Sequence, residues 1–468
     1  MPPFLLPAEP VETIDAYLAT DYGGKGVERA QEIGPQATID EVLASGLRGR
    51  GGGGFPTGRK WQGIASESGP KYLVVNGAEG EPGTFKDRAL LRANPYQLVE
   101  GLIIAAFAVG ADEAFVCLKR TFTREIERVT RAVQEMQDAG ICTDCKVTVV
   151  TGPTEYLFGE EKAMLEVIEG RPPLPRLFPP YVHGLFATDL QSGWEGTPVA
   201  SPGGATGGAN PTLVNNVETL SNVPHILARG ADWFRSMGTP ESPGTIVATV
   251  VGDVVAPDVG EVEMGSGLRD VIDAVGSGLP PGRSVKAVFS GVANPVIPAD
   301  RLDVALTYEA FAAIGSGMGS AGFIVHDDTA CMVNAAYVYS RFLSIESCGQ
   351  CPPCKLGSAE ITEHLQRLET GGGGDDDIDG IGHWLQRVTD GNRCFLAVEE
   401  QQVVSSVLRA FPEEFAEHAE LGRCPRPRPL PMPTITDLGG GRVSYDESFW
   451  RKRPDWTYEP NSTGRVPK

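Results

Sequence analysis

Four cysteines near the C-terminus restrict the fold of this chain more than any other feature. Cys348, Cys351 and Cys354 are spaced C-x2-C-x2-C, and Cys394 lies 40 residues further on. Three thiolates at this spacing can converge on one iron–sulfur cubane, with a fourth ligand from elsewhere in the chain. Cys394 is the natural fourth ligand, so the two segments are expected to meet. A zinc site and ordinary free cysteines are the alternatives, and zinc more often uses paired C-x2-C units.

The remaining cysteines carry weaker signals. Cys142 and Cys145 form a second C-x2-C pair, which we interpret as ordinary loop cysteines, with a redox pair or an adventitious metal site as the alternative. Cys117 and Cys331 lie in apolar segments and are expected in the core. Cys424 receives no role. The total of nine is odd, which argues against a disulfide framework and favours a reducing, cytoplasmic setting.

A glycine-rich segment at 46–61 (GLRGRGGGGFPTGRKW) is the second strong feature. It fits G-x-G-x-x-G, but the dinucleotide fingerprint requires a strand before it and a helix directly after it. Here a helical pattern at 38–45 precedes the glycines, and Phe55-Pro56 follows them. The segment therefore does not predict an ordinary Rossmann turn.

The same segment nevertheless predicts a phosphate site. Consecutive glycines allow backbone N–H groups to approach an anion closely. Arg48, Arg50, Arg59 and Lys60 lie within it, although the chain carries a net charge of −21. A flexible glycine linker is the alternative, and the neighbouring aromatic residues argue against it.

Three acidic segments accompany this loop. Residues 77–88 (GAEGEPGTFKDR) follow a predicted strand, and residues 154–161 (TEYLFGEE) and 215–219 (NNVET) open predicted helices. Carboxylates are poor phosphate ligands, but they accept hydrogen bonds from ribose or ribityl hydroxyls. Each segment alone is equally well explained as a helix cap or a charged surface. Together with the loop they indicate a nucleotide-type cofactor held at sheet and helix ends.

Strands that alternate with helices predict an α/β fold. The expected organisation is an N-terminal segment (1–37), an α/β domain (38–243) with a Gly/Pro-rich insertion (187–212), a small α+β domain (244–328), a helical domain with the cysteines (329–421), and a proline-rich strap (422–468). The insertion is interpreted as a surface loop, or else as a loop that faces a partner. The strap is expected to lie on its own domain or on a partner subunit.

An acidic run at 371–380 (GGGGDDDIDG) interrupts the helical domain. It is interpreted as a solvated connection between two helices. A metal site made by Asp375, Asp376 and Asp377 is the weaker alternative.

The charge and the apolar runs exclude two classes of function. Binding to nucleic acid depends on clustered Lys and Arg, which a chain with a net charge of −21 does not favour. The longest apolar run, Gly101–Gly110, is shorter than the roughly 20 residues of a membrane span. The N-terminus has no basic region before its apolar residues, so no signal peptide is expected.

The ordered motifs GLRGRGGGGFPTGRKW, VVNGAEGEPGTFKDR, EYLFGEE, VNNVET, ESCGQCPPCKLG and CFLA resemble those of a known family. The chain is similar, from about Ala37 to His418, to the NADH-binding flavoprotein subunit of respiratory complex I. The family also includes the diaphorase subunits of soluble NAD-linked hydrogenases and formate dehydrogenases. The resemblance implies a Rossmann-like FMN domain, a β-grasp domain and a helical bundle with a [4Fe-4S] cluster.

The resemblance also implies roles for individual residues. Glu81 and Glu161 are the candidate catalytic residues, which together with Phe55 help to bind NADH. The four cysteines named first are the implied cluster ligands. The implied cofactor-binding residues are Gly49, Arg50, Gly51, Gly52, Gly54, Phe55, Lys60, Asn76, Glu79, Tyr156, Gly159, Glu160, Asn215, Asn216, Thr219 and Tyr181.

Four positions depart from the family pattern. Ala78 stands where Asp is common, Gly63 where an aromatic residue helps to sandwich adenine, Phe178 where lysine is usual, and Tyr181 where Phe is usual. The flavin and cluster motifs are kept and the nicotinamide site is altered. The chain is therefore expected to be a divergent paralogue within another dehydrogenase complex.

The expected function is electron transfer between NAD(H) and a [4Fe-4S] cluster through FMN, as an NADH dehydrogenase (diaphorase)-type subunit. One alternative is the same relay with NADPH or a ferredoxin, and another is a scaffold that only holds a cluster. The expected partners are a thioredoxin-like [2Fe-2S] subunit and a further catalytic or iron–sulfur subunit of the formate dehydrogenase, hydrogenase or complex I type. The expected location is cytoplasmic, peripheral to a membrane only through partners.

Overall fold

The structure is a computed structural model that describes residues 3–142, 145–188 and 208–458. Its first sheet contains the strands β1 (Tyr72–Gly77), β2 (Glu113–Lys119), β3 (Lys146–Gly152) and β4 (Thr212–Asn216). All pairings are parallel, in the order β3-β2-β1-β4. The middle residues of the central strands β1 and β2 are apolar because both faces of the sheet are covered.

The helices of this part cover the sheet and extend its core to the N-terminus. Leu5, Tyr17 and Val27 belong to the same apolar core as β1, so the N-terminal segment packs as part of the α/β unit. The helices are α1 (Ile14–Leu18), α2 (Lys25–Ile33), α3 (Pro35–Ser45), α4 (Thr57–Ser66), α5 (Lys86–Ala93), α6 (Pro95–Val109), α7 (Thr123–Asp138), α8 (Glu161–Ile168), α9 (Val217–Ser221), α10 (Val223–Arg229) and α11 (Ala231–Arg235).

A second sheet follows, with the strands β5 (Thr245–Gly252), β6 (Asp258–Glu263), β7 (Val285–Ser290), β8 (Ile297–Pro298) and β9 (Gly322–Asp327). The order is β6-β5-β9-β7-β8, with β5 and β9 parallel and the other pairings antiparallel. The helices α12 (Leu268–Gly276) and α13 (Tyr308–Ala313) cover one face. This is the mixed β-grasp arrangement that the resemblance implied.

The other face of this sheet packs on the helical region. Val251, Phe289 and Ile324 share a core with these helices, whereas their strand neighbours Val250 and Val288 face α12. The helices are α14 (Met332–Glu346), α15 (Pro352–Thr370), α16 (Asp375–Leu385), α17 (Leu396–Ala410) and α18 (Pro412–Leu421).

The C-terminal segment lies on its own chain. Leu430 and Met432 are buried, and Pro433 O accepts a 2.7 Å hydrogen bond from Gly83 N. The proline-rich strap also contains a hairpin, β10 (Ile435–Gly439) and β11 (Arg442–Tyr445). Gly440 and Gly441 both have positive φ, as a two-residue hairpin turn requires.

Two expected boundaries differ from the structure. The limit between residues 37 and 38 falls inside α3, because Pro35 begins this helix at N1. The acidic run at 371–380 is a connection only as far as Gly374, and its aspartates open α16. Asp377 caps this helix and accepts hydrogen bonds from Gly374 N and Arg367 Nε, while Asp375 and Asp376 are exposed. The three aspartates therefore do not form a shared metal site.

Several sequence features lie partly outside the described residues. Residues 189–207 of the insertion at 187–212 and residues 459–468 of the strap are outside the described ranges. Within the described ranges, no helix is both long and apolar enough to cross a membrane.

We expect Glu400 to make the folded chain less stable as pH rises. Its side chain is fully buried in α17, Ser340 Oγ donates to one oxygen at 2.6 Å, and burial raises the pKa of Glu400 to about 8. The folded state holds this proton more tightly than the unfolded state does. The protonated carboxyl's contribution to stability is therefore fully present below about pH 4.5 and is lost as pH rises through about 8. Glu400→Gln should therefore gain stability relative to the unmodified chain between about pH 5 and about pH 9, by on the order of 3 kcal/mol.

The measurement is the melting temperature of both proteins across this pH range. Glu363→Gln changes an exposed glutamate of α15 in the same way and serves as the control. Parallel curves for Glu400→Gln and the unmodified chain would contradict the prediction.

Candidate functional site

A cavity of about 1040 Å³ lies at the carboxyl ends of β1 and β4. The strands β2 and β4 lie on opposite sides of β1, and such a switch point is where α/β sheets bind ligands. The second sheet and α17 complete the walls. The predicted site residues that line the cavity are Gly49, Gly51, Gly52, Gly54, Phe55, Lys60, Asn76, Glu79, Glu81, Tyr156, Gly159, Glu160, Glu161, Tyr181, Asn215, Asn216, Thr219 and Cys394.

The glycine-rich loop is closed by its own backbone and supported by the second sheet. Gly49 N donates to Phe55 O at 2.9 Å. Gly54 has φ +58°, and a Cβ added there would lie 2.6 Å from the ring of Tyr308. Tyr308, at the start of α13, also donates to Gly49 O at 2.8 Å. A residue far away in the sequence thus shapes the loop, and no local motif predicted it.

The cations of the loop divide into two pairs, which corrects the expectation of a single phosphate-facing cluster. Arg59 and Lys60 line the cavity. Arg48 donates to Gly54 O at 2.7 Å, and its guanidinium lies over the ring of Tyr308. Arg50 is buried, with its guanidinium bonded to Pro243 O at 3.1 Å, so this side chain does not reach the cavity. It acts in the contact between the loop and the second sheet.

The asparagines at the strand ends are held by neighbours on other elements. Asn76 Nδ2 donates to Gly159 O at 2.6 Å, and Asn216 Nδ2 donates to Asp87 Oδ2 at 2.6 Å. Asn215 Oδ1 accepts from Trp61 Nε1 at 2.8 Å. The amides therefore face the cavity in fixed orientations.

Glu79 is less available than the sequence indicated. Its carboxylate accepts hydrogen bonds from Asp87 N at 3.0 Å and Arg88 Nε at 3.1 Å, and Arg88 is buried. The side chain touches the cavity but is mainly used to order the first turn of α5. Beside it, burial raises the pKa of Asp87 to about 6.

A group of buried acids forms the wall of the cavity nearest the helical region. Tyr156 Oη lies 2.5 Å from Glu81 Oε2 and 3.2 Å from Glu399 Oε1, and Val292 N donates to Glu81 Oε1 at 2.6 Å. Burial raises the pKa of both Glu81 and Glu399. Burial therefore disfavours the charged form of both carboxyls relative to exposed glutamates.

Glu399 was not predicted from the sequence. It lies five residues after Cys394, in the first turn of α17. Proximity to a cluster cysteine was the only local signal that could have drawn attention to it.

The two adjacent acids of EYLFGEE have different surroundings. Glu160 caps α8 by accepting from Lys162 N at 2.9 Å and Ala163 N at 3.0 Å, and burial raises its pKa to about 7. Glu161 is more exposed and pairs with Lys60 Nζ at 3.2 Å. The N-terminal end of α8 thus presents one carboxyl whose pKa is about 7, Glu160, and one that is paired with a cation, Glu161.

The four cluster cysteines meet as predicted. Cys348, Cys351 and Cys354 lie where α14 joins α15, and Cys394 lies just before α17. All four line one small enclosed space. Cys394 also lines the large cavity, as do Leu157 and Leu396. One layer of side chains therefore separates the two spaces.

The other cysteines are also placed. Cys117 and Cys331 are fully buried, as expected. Cys142 and Cys145 are buried in their loop, where Cys142 Sγ lies 3.6 Å from Cys145 O. Cys424 lies beside Cys331, in a cluster that the sequence did not predict.

Two family models match the chain. Residues 42–225 match the Nuo51 FMN-binding domain, and residues 334–418 match the NADH-ubiquinone oxidoreductase-F iron-sulfur binding region.

Curated relatives and solved structures agree with these matches. The chain is 38% identical over 432 residues to the second F-type subunit of NADH-quinone oxidoreductase from Rhizobium meliloti (strain 1021), and the alignment covers 89% of this chain and 97% of the relative. It is 36% identical to NADP-reducing hydrogenase subunit HndC of Solidesulfovibrio fructosivorans, covering 88% and 82%. The structure of an NAD+-reducing [NiFe]-hydrogenase in the H2-reduced state superposes with a TM-score of 0.73 and 30% identity, covering 88% of this chain and 67% of that one.

Gly54→Ala should reduce both the FMN content and the melting temperature. The new Cβ would collide with the Tyr308 ring, and φ +58° disfavours any side chain, so the expected loss of stability is about 1–3 kcal/mol. FMN released from the purified protein would be quantified by fluorescence, alongside thermal unfolding.

Gly53→Ala is the matched control, because a Cβ there meets nothing within 4 Å. It should melt at the same temperature as the unmodified chain. Equal melting temperatures for Gly54→Ala and Gly53→Ala would show that loop strain is not the determinant.

Proposed function

The chain belongs to the family of NADH-quinone oxidoreductase F subunits and related hydrogenase subunits, and we propose how its residues carry out the family's electron transfer. As a member, it is an FMN- and [4Fe-4S]-binding oxidoreductase subunit of a multi-subunit complex. A single layer of side chains separates the large cavity from the cysteine-lined space, and this short separation supports electron transfer between them.

The large cavity fits a flavin together with a dinucleotide. Its volume of about 1040 Å³ lies at the upper end of the range for small-molecule sites, about 300–1,000 Å³. Gly51 approaches Asn216 so closely that a Cβ would lie 3.1 Å from Asn216 Cβ. We assign the loop amides and Lys60 to the FMN phosphate, and the strand-end asparagines to the flavin and its ribityl chain.

Bound FMN would accept a hydride from NADH and pass electrons singly to a cluster that accepts one at a time. The protein's part is to position the reactants and exclude water. Leu157 and Leu396 form an apolar partition, and Cys394 reaches through it. We propose that electrons leave the cavity at this partition.

The acids of the cavity wall, Glu81 and Glu161, are compatible with the phosphates of a bound dinucleotide. The pKa of Glu81 is raised by burial, and Glu161 is paired with Lys60. Glu161 is therefore charge-paired, and burial disfavours the charged form of Glu81. In this proposal Glu81 and Glu161 hold hydroxyl or amide groups of NAD(H), and Tyr156 fixes the position of Glu81.

The complex is proposed to contain a thioredoxin-like [2Fe-2S] subunit and a further catalytic or iron–sulfur subunit, in the cytoplasm. Leu356 is 59% exposed and lies two residues after Cys354, whereas the exposed Phe395 lines the cavity. A large apolar side chain exposed beside the proposed cluster supports a docking subunit there. The domain limits follow the elements, with the N-terminal segment ending at Gly34.

The choice of donor depends on the altered positions. Gly63 and Ala78 line the cavity, and a Cβ on Gly63 would meet nothing within 4 Å. The space left at Gly63 weakens stacking on adenine, so we expect NADH to bind less tightly than in relatives with an aromatic there. The same relay with NADPH or a ferredoxin as donor is the second candidate. Phe178 is not among the residues that line the cavity.

Anaerobic titration tests the proposed donor. NADH and NADPH would be added separately to the protein with its partner subunits, while the flavin absorbance is followed. Rapid bleaching by NADH is the expected result, because the hydride site adjoins the flavin site in one cavity. Bleaching by dithionite alone, with FMN and iron present, would overturn the assignment of NAD(H).

Gly63→Phe should lower the KM for NADH by roughly 3- to 10-fold, since a stacked aromatic contact contributes about 0.5–1.5 kcal/mol. Steady-state diaphorase kinetics would measure KM and kcat. Gly63→Ala adds a methyl group without a ring and should leave KM close to its original value. A KM in Gly63→Phe equal to that of Gly63→Ala would contradict the role of this position.

A further inference from the structure

A second group of metal-type ligands lies apart from the cluster cysteines. It consists of Cys331, Glu369, His418 and Cys424, and its four donor atoms all lie within 4.8 Å of one another. Cys331 and His418 are fully buried, Cys424 is 8% exposed, and the side chain of Glu369 is 11% exposed. Four such donors rarely converge in a buried site without a reason, because each would otherwise lose hydration.

Each donor comes from a different element. Cys331 is the N-cap of α14, Glu369 lies in the last turn of α15, and His418 lies in α18. Cys424 follows α18, where the chain leaves for the strap. The group therefore joins three helices and the beginning of the strap.

The histidine is oriented as a metal ligand would be. Its Nδ1 lies 2.6 Å from Glu414 O, one turn earlier in α18. A carbonyl only accepts, so Nδ1 carries the proton and Nε2 keeps its lone pair. Nε2 faces the group, 3.3 Å from Cys331 Sγ and 3.6 Å from Glu369 Oε2. Such an outer hydrogen bond is typical of metal-bound histidines.

The two sulfurs are also supported by backbone amides. Asn334 N donates to Cys331 Sγ at 3.4 Å, and the amide of Arg426 donates to Cys424 Sγ. Burial raises the pKa of both thiols, and these N–H···S bonds oppose that rise by favouring the thiolate form that a metal requires. The loop itself is held by hydrogen bonds from Gly372 N to Gly422 O at 3.0 Å and from Cys424 N to Glu369 O at 3.3 Å. The site is thus positioned by the fold and not only by its ligands.

We propose that Cys331, Glu369, His418 and Cys424 bind one structural zinc ion. Two thiolates, one imidazole and one carboxylate are ligands that Zn²⁺ accepts in a closed tetrahedral site. Tetrahedral donors at zinc bond lengths lie about 3.3–3.8 Å apart, so the observed spacing needs only a small contraction. Binding releases the two thiol protons to solvent, and no redox change occurs.

A mononuclear ion fits this group and a cubane does not. Donors within 4.8 Å of one another surround a single atom, whereas a [4Fe-4S] cubane would need room between its ligands for eight atoms. The ion would clamp the beginning of the strap to α14 and α15. Its role is therefore structural and separate from the electron relay.

The test is the metal content of the full chain, purified with its partner subunits from a medium without added zinc and with any affinity tag removed. Mass spectrometry of the elements should find about one zinc per chain beside the iron. Zinc K-edge absorption, which iron does not obscure, should show two sulfurs at about 2.3 Å and two lighter ligands at about 2.0–2.2 Å. Zinc below about a fifth of stoichiometry, or a shell without sulfur, would overturn the proposal.

Matched variants separate this site from the cluster. Cys424→Ser and Cys331→Ser should each lose zinc, and retention of FMN and iron would confirm that these variants have folded. Cys351→Ser should lose the iron of this chain's own cluster and keep zinc, and Cys117→Ser, at another buried cysteine, should keep both. Zinc that persists in folded Cys424→Ser and Cys331→Ser would overturn the assignment. Failure of the NADH titration with zinc retained would count against the proposed donor alone.

Discussion

The arrangement of the two sheets depends on the buried ion pairs that Lys86 makes. Its Nζ lies 2.8 Å from Asp87 Oδ1 and 2.8 Å from Glu218 Oε2, and all three side chains are almost completely buried. Glu218 Oε1 also accepts from Val247 N, at 2.9 Å in β5. A buried ion pair adds little stability, but loss of one partner is costly because it leaves an uncompensated charge. The network therefore fixes how the second sheet meets the first, and so fixes the cavity between them.

The cavity combines anion-binding groups with acids that are largely neutralised. Loop amides and Lys60 line the cavity, and burial raises the carboxyl pKa values on the wall that contains Glu81, Glu160 and Glu399, to about 7 for Glu160. This arrangement accepts an anionic cofactor in a chain whose net charge is −21. The same wall borders the space lined by the four cysteines, so a cofactor bound in the cavity as proposed would lie beside the proposed cluster.

The strap shows how the parts are held together. Arg428 joins it to Asp327 at 2.9 Å, and Arg92 reaches Asp437 at 2.6 Å from the first sheet's helices. In the helical region, Leu430 N donates to Asn334 Oδ1 of α14 at 3.0 Å, so the strap contacts all three units that form the cavity. A metal ion at Cys424 would anchor its beginning, which is also held by hydrogen bonds and by the ion pair of Arg426 with Glu417 at 2.7 Å.

The C-x2-C-x2-C motif, the glycine loop and the α/β alternation could be predicted from the sequence, because they depend on local spacing and periodicity, while roles for the strand-end asparagines came from the family resemblance. Tertiary packing was needed to show that Arg50 turns away from the cavity, that Tyr308 shapes the loop, and that Glu399 joins Glu81 at Tyr156. It also decided that Cys331 and Cys424 meet, although 93 residues separate them. Local patterns fix backbone conformation. The direction of a side chain and the ionisation of an acid depend instead on the distant groups that packing brings into contact with them.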